Sequence, residues 1–407
     1  MTTNRFALTS DINELPSSVS VSGSDLFAFS DDPASATVTR KITFSGIRTS
    51  IFNQPTTLQL RQGTNTERTY ITPSSGEPIW TTDNKKLFVG DGSAVGGILV
   101  GPYTPPELTN GNSNSGTLSI ICGGTGNNIA NGSIYSNING GLTNYGSGVS
   151  FCIAGGSNNS IGTNGSYCAI GGGQNNNIQS QHSTIAGGLS NIIGTIVPYS
   201  TIGGGISNRS YATGVTICGG ALNISYNTYG TICGGFSNHI YGNYATIIGG
   251  NSAKATLYGQ VSHAAGHFAN RGDAQHTTLI ARQETSDTTD TVLTLDGLAP
   301  SVDNTILLTA KTCWMFTIKV SAYNDSDNIG ASWLLKGGIR RNNSNQTTLV
   351  GNVTSESWIE SGMSGTSVSV TANNTSDTLE ITAKGLAGKN IRWVALLDIC
   401  QASYGVP

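Results

Sequence analysis

The sequence predicts an all-β chain: small N-terminal β-modules, a β-solenoid (β-roll) shaft, and a C-terminal antiparallel β-sandwich of jelly-roll-like type. Three observations carry that prediction. A short pattern of isoleucine, paired glycines and asparagine recurs through residues 117–252, period-two apolar alternation marks residues 277–407, and turn residues cut residues 1–101 into runs of strand length.

Aligned on the second glycine of each pair (Gly124, Gly141, Gly156, Gly173, Gly188, Gly205, Gly220, Gly235, Gly250), the repeats are spaced 17, 15, 17, 15, 17, 15, 15 and 15 residues apart. Three residues before each glycine stands Ile121, Ile138, Ile153, Ile170, Ile185, Ile202, Ile217, Ile232 or Ile247. Three residues after stands Asn127, Asn144, Asn159, Asn176, Asn191, Asn208, Asn223 or Asn238, and only the ninth repeat departs, with Ala253. A unit with one invariant apolar position cannot bury its own hydrophobic side and must stack on copies of itself. The unit is too short for a helical pair and rich in Thr, Ser, Gly and β-branched Ile, so it reads as one coil of a β-solenoid. The isoleucines then form an internal core ladder, the glycine pair a turn needing positive φ or close backbone approach, and the asparagines a stacked amide ladder.

Composition bounds the function. The 407 residues allow two to four domains, and 54 glycines with 11% charged residues are unusual for a cytosolic enzyme. A net charge of −3 with no basic stripe argues against nucleic acid as a partner. No apolar run of membrane-spanning length occurs, so no membrane insertion is expected, and residues 1–10 lack a signal-peptide pattern. Three of the seven cysteines (Cys122, Cys218, Cys233) share one coil position, read as small and buried, and all seven are expected as free thiols. No cofactor and no single-chain metal site are expected: no CxxC spacing occurs, and in a β-solenoid the four-residue spacing of His263 and His267 does not put two imidazoles on one helix face.

Taken in order, residues 1–55 read as two or three short strands with a brief helical segment at 45–52, too small to own a core. Residues 56–101 contain a hairpin: strand from Pro78 to Thr82, turn at Asp83 and Asn84, strand from Lys86 to Val89, then a Gly-Asp-Gly turn. Asp83 and Asp91 are turn formers in this reading. Residues 102–116 are a linker, and 117–276 the shaft.

On the shaft, Tyr135, Tyr167, Tyr199, Tyr229 and Tyr244 recur six residues before the reference glycine and place a tyrosine ladder on one edge. Between Glu107 and Asp273 there is no Asp or Glu, so a two-carboxylate glycan hydrolase cannot be built from the shaft. The tripeptide Arg271-Gly272-Asp273 is read as coincidence.

In residues 277–407, Trp314, Phe316, Ile318 and Val320 alternate, as do Ile391, Trp393, Ala395 and Leu397. The candidate ligand contacts are Asn324, Asp325, Asp327, Arg340, Arg341 and Trp358, because loop aromatics and planar polar groups suit carbohydrate recognition. Trp314, Trp333 and Trp393 are candidates for the core. An enzymatic alternative would use Glu356 and Glu360 beside Trp358.

Several phrases resemble known families. Glu14-Leu15-Pro16, Gly23-Ser24-Asp25-Leu26-Phe27 and Thr39-Arg40-Lys41-Ile42-Thr43 resemble the opening module of bacteriophage tail fibres. Gly76-Glu77-Pro78-Ile79-Trp80 through Gly90-Asp91-Gly92, with Leu60-Arg61-Gln62-Gly63-Thr64 upstream, resembles the N-terminal β-module of phage tropism determinants. The coil Thr231-Ile232-Cys233-Gly234-Gly235-Phe236-Ser237-Asn238 resembles the head repeats of trimeric bacterial adhesins, although the period differs. Ser332-Trp333-Leu334-Leu335-Lys336 and Ile391-Arg392-Trp393 resemble the terminal domain of phage fibres that carry such repeats.

These resemblances imply a homotrimeric tail fibre in the virion, assembled in the host cytoplasm. Residues 1–55 would attach to other tail or baseplate proteins, and 277–407 would adsorb to a bacterial surface polysaccharide without catalysis. The rival expectations are a tailspike-type depolymerase and a bacterial trimeric adhesin.

Overall fold

A computed structural model describes residues 26–30, 39–43, 61–100 and 110–404. The chain divides into two compact units, Met1–Tyr103 and Thr104–Pro407. The helix expected at 45–52 lies outside the described residues.

In the first unit, Leu26–Ser30 and Thr39–Thr43 pair antiparallel. The expected hairpin forms from Pro78–Thr81 and Lys86–Val89. Ile98–Val100 adds to one edge, and Arg61–Gly63 adds in parallel to the other. Between Arg61–Gly63 and the hairpin lies a helical turn, Asn65–Arg68, that the periodicity did not reveal. It starts because Thr64 and Glu67 form a reciprocal capping box. Asp83 accepts from the Asn65 and Asn84 N–H groups, and Asp91 from those of Ser93 and Ala94, so both acids shape backbone. Ile79 and Phe88 are buried, with the Arg68 guanidinium 3.7 Å from the Phe88 ring centre.

The second unit opens with the solenoid. Its coils are stitched by two parallel ladders of short strands, most of them two residues long, one running from Ile120–Ile121 to Val261–Ala264 and the other from Ser113–Asn114 to Lys254–Ala255. The nine repeat isoleucines are the inward residues of the first ladder, none more than 1% exposed. Facing them are Ile129, Ile161, Ile178, Ile193 and Ile240 of the second. Where that ladder has Gly146, Phe151 fills the space: a Cβ on Gly146 would lie 2.1 Å from its ring.

The amide ladder forms as the repeat implies. Asn176 donates from Nδ2 to the carbonyls of Gly172 at 2.9 Å and of Gly188 in the next coil at 3.0 Å, while its Oδ1 accepts the Asn191 N–H at 3.0 Å. All eight asparagines are fully buried. The second glycine is obligatory for the same stacking: at Gly173, φ is 82° and a Cβ would lie 2.1 Å from the Gly188 oxygen.

The uneven period has a single cause. The path from first to second ladder is constant (Ile121 to Asn128, Ile138 to Tyr145), whereas the return path is longer in three coils (Ile129 to Asn137, Ile161 to Ala169, Ile193 to Thr201) than in the others (Gly146 to Cys152). The extra residues sit on one corner and leave both ladders in register.

Two expectations change here. The shaft begins before residue 117, because Ser113–Asn114 already pairs with Asn128–Ile129 and Asn112 extends the amide ladder. That first coil lacks the isoleucine and the glycine pair, which hid it. The position of Cys122, Cys218 and Cys233 is exposed rather than buried, since it follows the inward isoleucine and alternation turns it outward. All seven cysteines are free.

The first ladder runs into the tip as a single sheet. Val261–Ala264 pairs in parallel with Thr246–Gly250 and antiparallel with Ala274–Thr285, so the boundary expected at 276/277 falls inside a strand. The tip sheet has the order Thr347–Ile359, Ile329–Arg341, Thr312–Asn324, Ile391–Ser403, Ala274–Thr285. A smaller antiparallel sheet is built around Thr378–Lys384, which pairs with Ser367–Asn373 on one edge and with Asp290–Val292 and Ile306–Leu307. The two sheets share one core containing Trp314, Trp333 and Trp393. Among the described residues no helix is long and apolar enough to cross a membrane.

Candidate binding sites

The six expected ligand contacts fall in four separate places. Asn324 is fully buried and shapes a turn: its Oδ1 accepts the Ser326 N–H and its Nδ2 donates to Asp327. Asp327 also pairs with Lys389 at 2.7 Å, and that hydrogen bond holds its carboxyl below the usual range. Asp325 is exposed beside them. Asn324 and Asp327 are thus spent on the turn, a use that Asn and Asp sequence runs commonly have.

Arg340 is exposed on an open cleft shared with Phe268, Lys311 and Tyr404. Its neighbour Arg341 points to the other side of the strand, where it donates to the Leu308 carbonyl at 2.8 Å and pairs with Asp377 at 2.7 Å. Trp358 lies on the edge strand Thr347–Ile359, 58% exposed, above a shallow groove containing Ser321 and Ser332. Period two sets Glu356 on the same face as Trp358, and Glu360, just past the strand end at the cap of the short turn Ser361–Met363, lines the same groove as Trp358.

The shaft presents two aromatic stripes. The expected one sits at a corner where Tyr135, Tyr167, Tyr199, Tyr229 and Tyr244 all have φ between 55° and 63° and remain half exposed or more. Tyr167, His182 and Tyr199 stack with ring centres 5.0 and 5.3 Å apart, and Tyr229 stacks on Tyr244 at 5.3 Å. Gly214 leaves room for the Tyr229 ring, which a Cβ there would meet at 2.5 Å. The second stripe, Tyr211, Tyr226 and Tyr241, stacks at 5.6 and 4.9 Å and was missed because only three coils carry it.

That second stripe leads into a cavity of about 500 Å³ where the last coils meet the tip. Its walls come from three stretches: His239, Tyr241 and Lys254 of the shaft, Arg271 and Gln275 of the connecting turn, and Trp314, Arg341 and Gln401 of the tip. Glutamine amides fix these stretches together. Gln275 accepts the Lys254 N–H and donates to the Lys254 carbonyl, both at 2.9 Å, in place of a further strand. Gln260 receives the Thr256 and Leu257 N–H groups, and Gln401 donates to the Gly272 carbonyl at 2.9 Å.

Arg271 donates to the Ser237 carbonyl at 2.9 Å, and Asp273, 1% exposed, accepts from the N–H groups of Phe268, Ala269 and Asn270. Arg271-Gly272-Asp273 is therefore built into the junction. Burial opposes ionisation of Asp273, but the three N–H groups outweigh it and keep its pKa below the ordinary value. His239 is pushed down to about 4 by burial, with Arg271 and Lys254 adding to the effect, so it is neutral at neutral pH. No sequence signal marks this cavity, whose walls are gathered from residues 239–403.

Residues 58–94 match the family described as Major tropism determinant N-terminal domain. The resemblance to phage receptor-binding and tail-fibre proteins is thus found where the hairpin phrase carried it. No curated protein matches the chain. Among solved structures, the chain is similar to the tailspike of Acinetobacter baumannii phage AM24 at 10% identity and a TM-score of 0.19, covering 71% of this chain and 59% of that one. It is similar to the tailspike of Acinetobacter phage vB_ApiP_P1 at 9% identity and 0.20, covering 85% and 100%. A third similar structure is the tailspike gp49 of Acinetobacter baumannii bacteriophage Fri1, titled a capsular polysaccharide depolymerase, at 8% and 0.19, covering 72% and 70%. The chain spans little more than half the length of the AM24 tailspike.

The expectation that the chain is no enzyme is corrected by this finding, because a similar tailspike is titled a depolymerase. Absence of acids is confined to residues 108–272, and the tip carries acidic side chains of its own.

Proposed function

We propose that the protein is a phage receptor-binding protein, a virion component of tail-fibre or tailspike kind, that engages a polysaccharide on the bacterial surface. The observation that carries this reading is the match to the tropism-determinant N-terminal domain, standing ahead of a solenoid whose exposed corners bear stacked aromatic rings. Such stacks offer a row of ring edges and the open faces of their end rings to the C–H side of pyranose units.

In this reading residues 1–55 and 56–101 attach to tail or baseplate proteins, the coils that begin at Ser113–Asn114 form the shaft, and the sheets from Ala274–Thr285 onward present the receptor-facing loops. Three copies form a homotrimer, assembled in the host cytoplasm, and several weak sites on each particle supply avidity. Adsorption of the full chain to host cells, before and after enzymatic removal of surface polysaccharide, tests this. Binding should fall at least about tenfold after removal; undiminished binding would refute the polysaccharide as receptor.

A second reading, in which the bound polysaccharide is also cleaved, draws on Glu356 and Glu360 flanking Trp358 along one face. Four residues of extended chain separate their Cα atoms by about 13 Å. Carboxyl groups about 6.5–9.5 Å apart suit an inverting hydrolase, so these two must lean together over the indole. Release of reducing ends by the wild type and its loss in Glu356→Gln supports cleavage; undiminished release in that variant removes this pair.

A further inference from the structure

We infer that the cavity between the last coils and the tip is a binding site for an anionic sugar, a saccharide residue carrying one carboxylate or phosphate group. This deepens the polysaccharide reading and rests on it.

Charge is the first ground. Residues 108–272 hold no Asp or Glu, and their only cations are Arg209, Lys254 and Arg271. Lys254 and Arg271 both line this cavity, and among the described residues neither has a carboxylate partner within ion-pair distance. Arg341, the remaining cation on the wall, is already held by Asp377. A concave site with one sign of charge concentrates the field and draws in a ligand of the opposite sign.

Unmet hydrogen bonding is the second ground. Six buried side-chain polar atoms among the described residues have no partner, and three of them, His239 Nε2, Trp314 Nε1 and Arg341 Nε, belong to residues of this wall. Buried polar groups are nearly always paired, so their concentration around one cavity marks it as incomplete.

Shape is the third. At about 500 Å³ the cavity is of ordinary ligand size. Lys254 Nζ stands 5.3 Å from the centre of the Tyr241 ring, which continues the stack on Tyr226. With Tyr226 stacked on the Tyr241 ring and the ammonium lying over it, the ring edge and the cation together suit an acidic pyranose: apolar C–H groups against the ring edge, anion on the cation. The glutamine amides, already engaged, hold the wall still. A sugar seated here would extend the line of rings along the shaft.

The test is an NMR titration of the full chain with galacturonic acid, galactose 6-phosphate, galactose and inorganic phosphate. Galacturonic acid or galactose 6-phosphate should saturate at least about tenfold more tightly than galactose and inorganic phosphate, the size of a lost charge-assisted bond. Whichever of the two binds more tightly identifies the anion. Lys254→Met, which keeps the apolar stem, should abolish the preference with an unchanged unfolding midpoint; Arg271→Gln provides the same test if the first variant does not fold. Equal binding of neutral and anionic sugars, inorganic phosphate binding as tightly as the tighter of the two anionic sugars, or an undisturbed preference in the variants overturns the site. Intact adsorption to bacterial cells alongside such a result overturns this site alone, whereas loss of polysaccharide-dependent adsorption defeats the wider reading.

Discussion

The shaft and the tip both bury apolar β-structure, yet opposite means hold them. In the shaft almost every strand is two residues long, each coil meets only its neighbours, and one buried amide in nearly every coil closes the hydrogen bonding that the strands leave open. In the tip, strands of up to 13 residues pair along their whole length, and the core joins residues as distant as Leu279 and Ile399. A stack of near-identical units behaves as a sum of local terms, whereas a core assembled from distant segments is gained or lost as a whole. A defect should therefore stay local in the shaft and spread through the tip.

The largest effect is expected at Trp393. It is fully buried, packs on Trp333 with ring centres 5.4 Å apart, and donates to Thr285 Oγ1 at 2.9 Å. Trp393→Ala should cost about 4 kcal/mol and unfold residues 277–403 in one step while amides of the middle coils stay protected from hydrogen exchange. Simultaneous loss of protection in both regions would break the comparison.

Ile185→Ala, at a fully buried rung, should cost about 3 kcal/mol. Hydrogen exchange should accelerate within a coil or two of residue 185 and leave the tip unchanged. Asn176→Ala sharpens the same point for the polar ladder. It leaves the Gly172 and Gly188 carbonyls and the Asn191 N–H short of a partner, for about 2 kcal/mol, with faster exchange at Asn191 as the direct readout.

The smallest effect concerns the joint between the regions. Because the folded pKa of Asp273 lies below its ordinary value of 3.8, its contribution is complete above that value and disappears as pH falls through the folded pKa. Thermal unfolding midpoints of wild type and Asp273→Asn should therefore converge on acidification below pH 4 and stand apart at pH 7. A gap that stays constant across that range would show that the Asp273 charge contributes nothing.

The shaft was legible because the same demand recurs in every coil: one inward apolar residue, one backbone contact that only glycine permits, one amide with three bonds to make. Ile185, Gly188 and Asn191 repeat because their environments repeat. Cys218 was misjudged because small size at a repeated position fits an outward strand residue as well as an inward one. In the tip, alternation exposed Trp314 and Trp393 as core residues, but Asn324 and Arg341 have polar roles set by Asp327 and Asp377, and no local pattern states that. The junction cavity was invisible for the same reason in stronger form, since Tyr241, Arg271 and Arg341 become neighbours only after the ladder has ended and the tip has folded back.

How that ladder ends also bears on mechanics. Its backbone hydrogen bonds run along the stacking direction, so a pull separating tip from shaft loads them lengthwise. One ladder continues through Val261–Ala264 into the tip; the other stops at Lys254–Ala255, where the Gln275 side chain takes the place of a strand. Tension is thus carried by backbone on one side and by side-chain amides on the other. The joint should yield first on the glutamine side, opening like a hinge whose pin is the continuous strand.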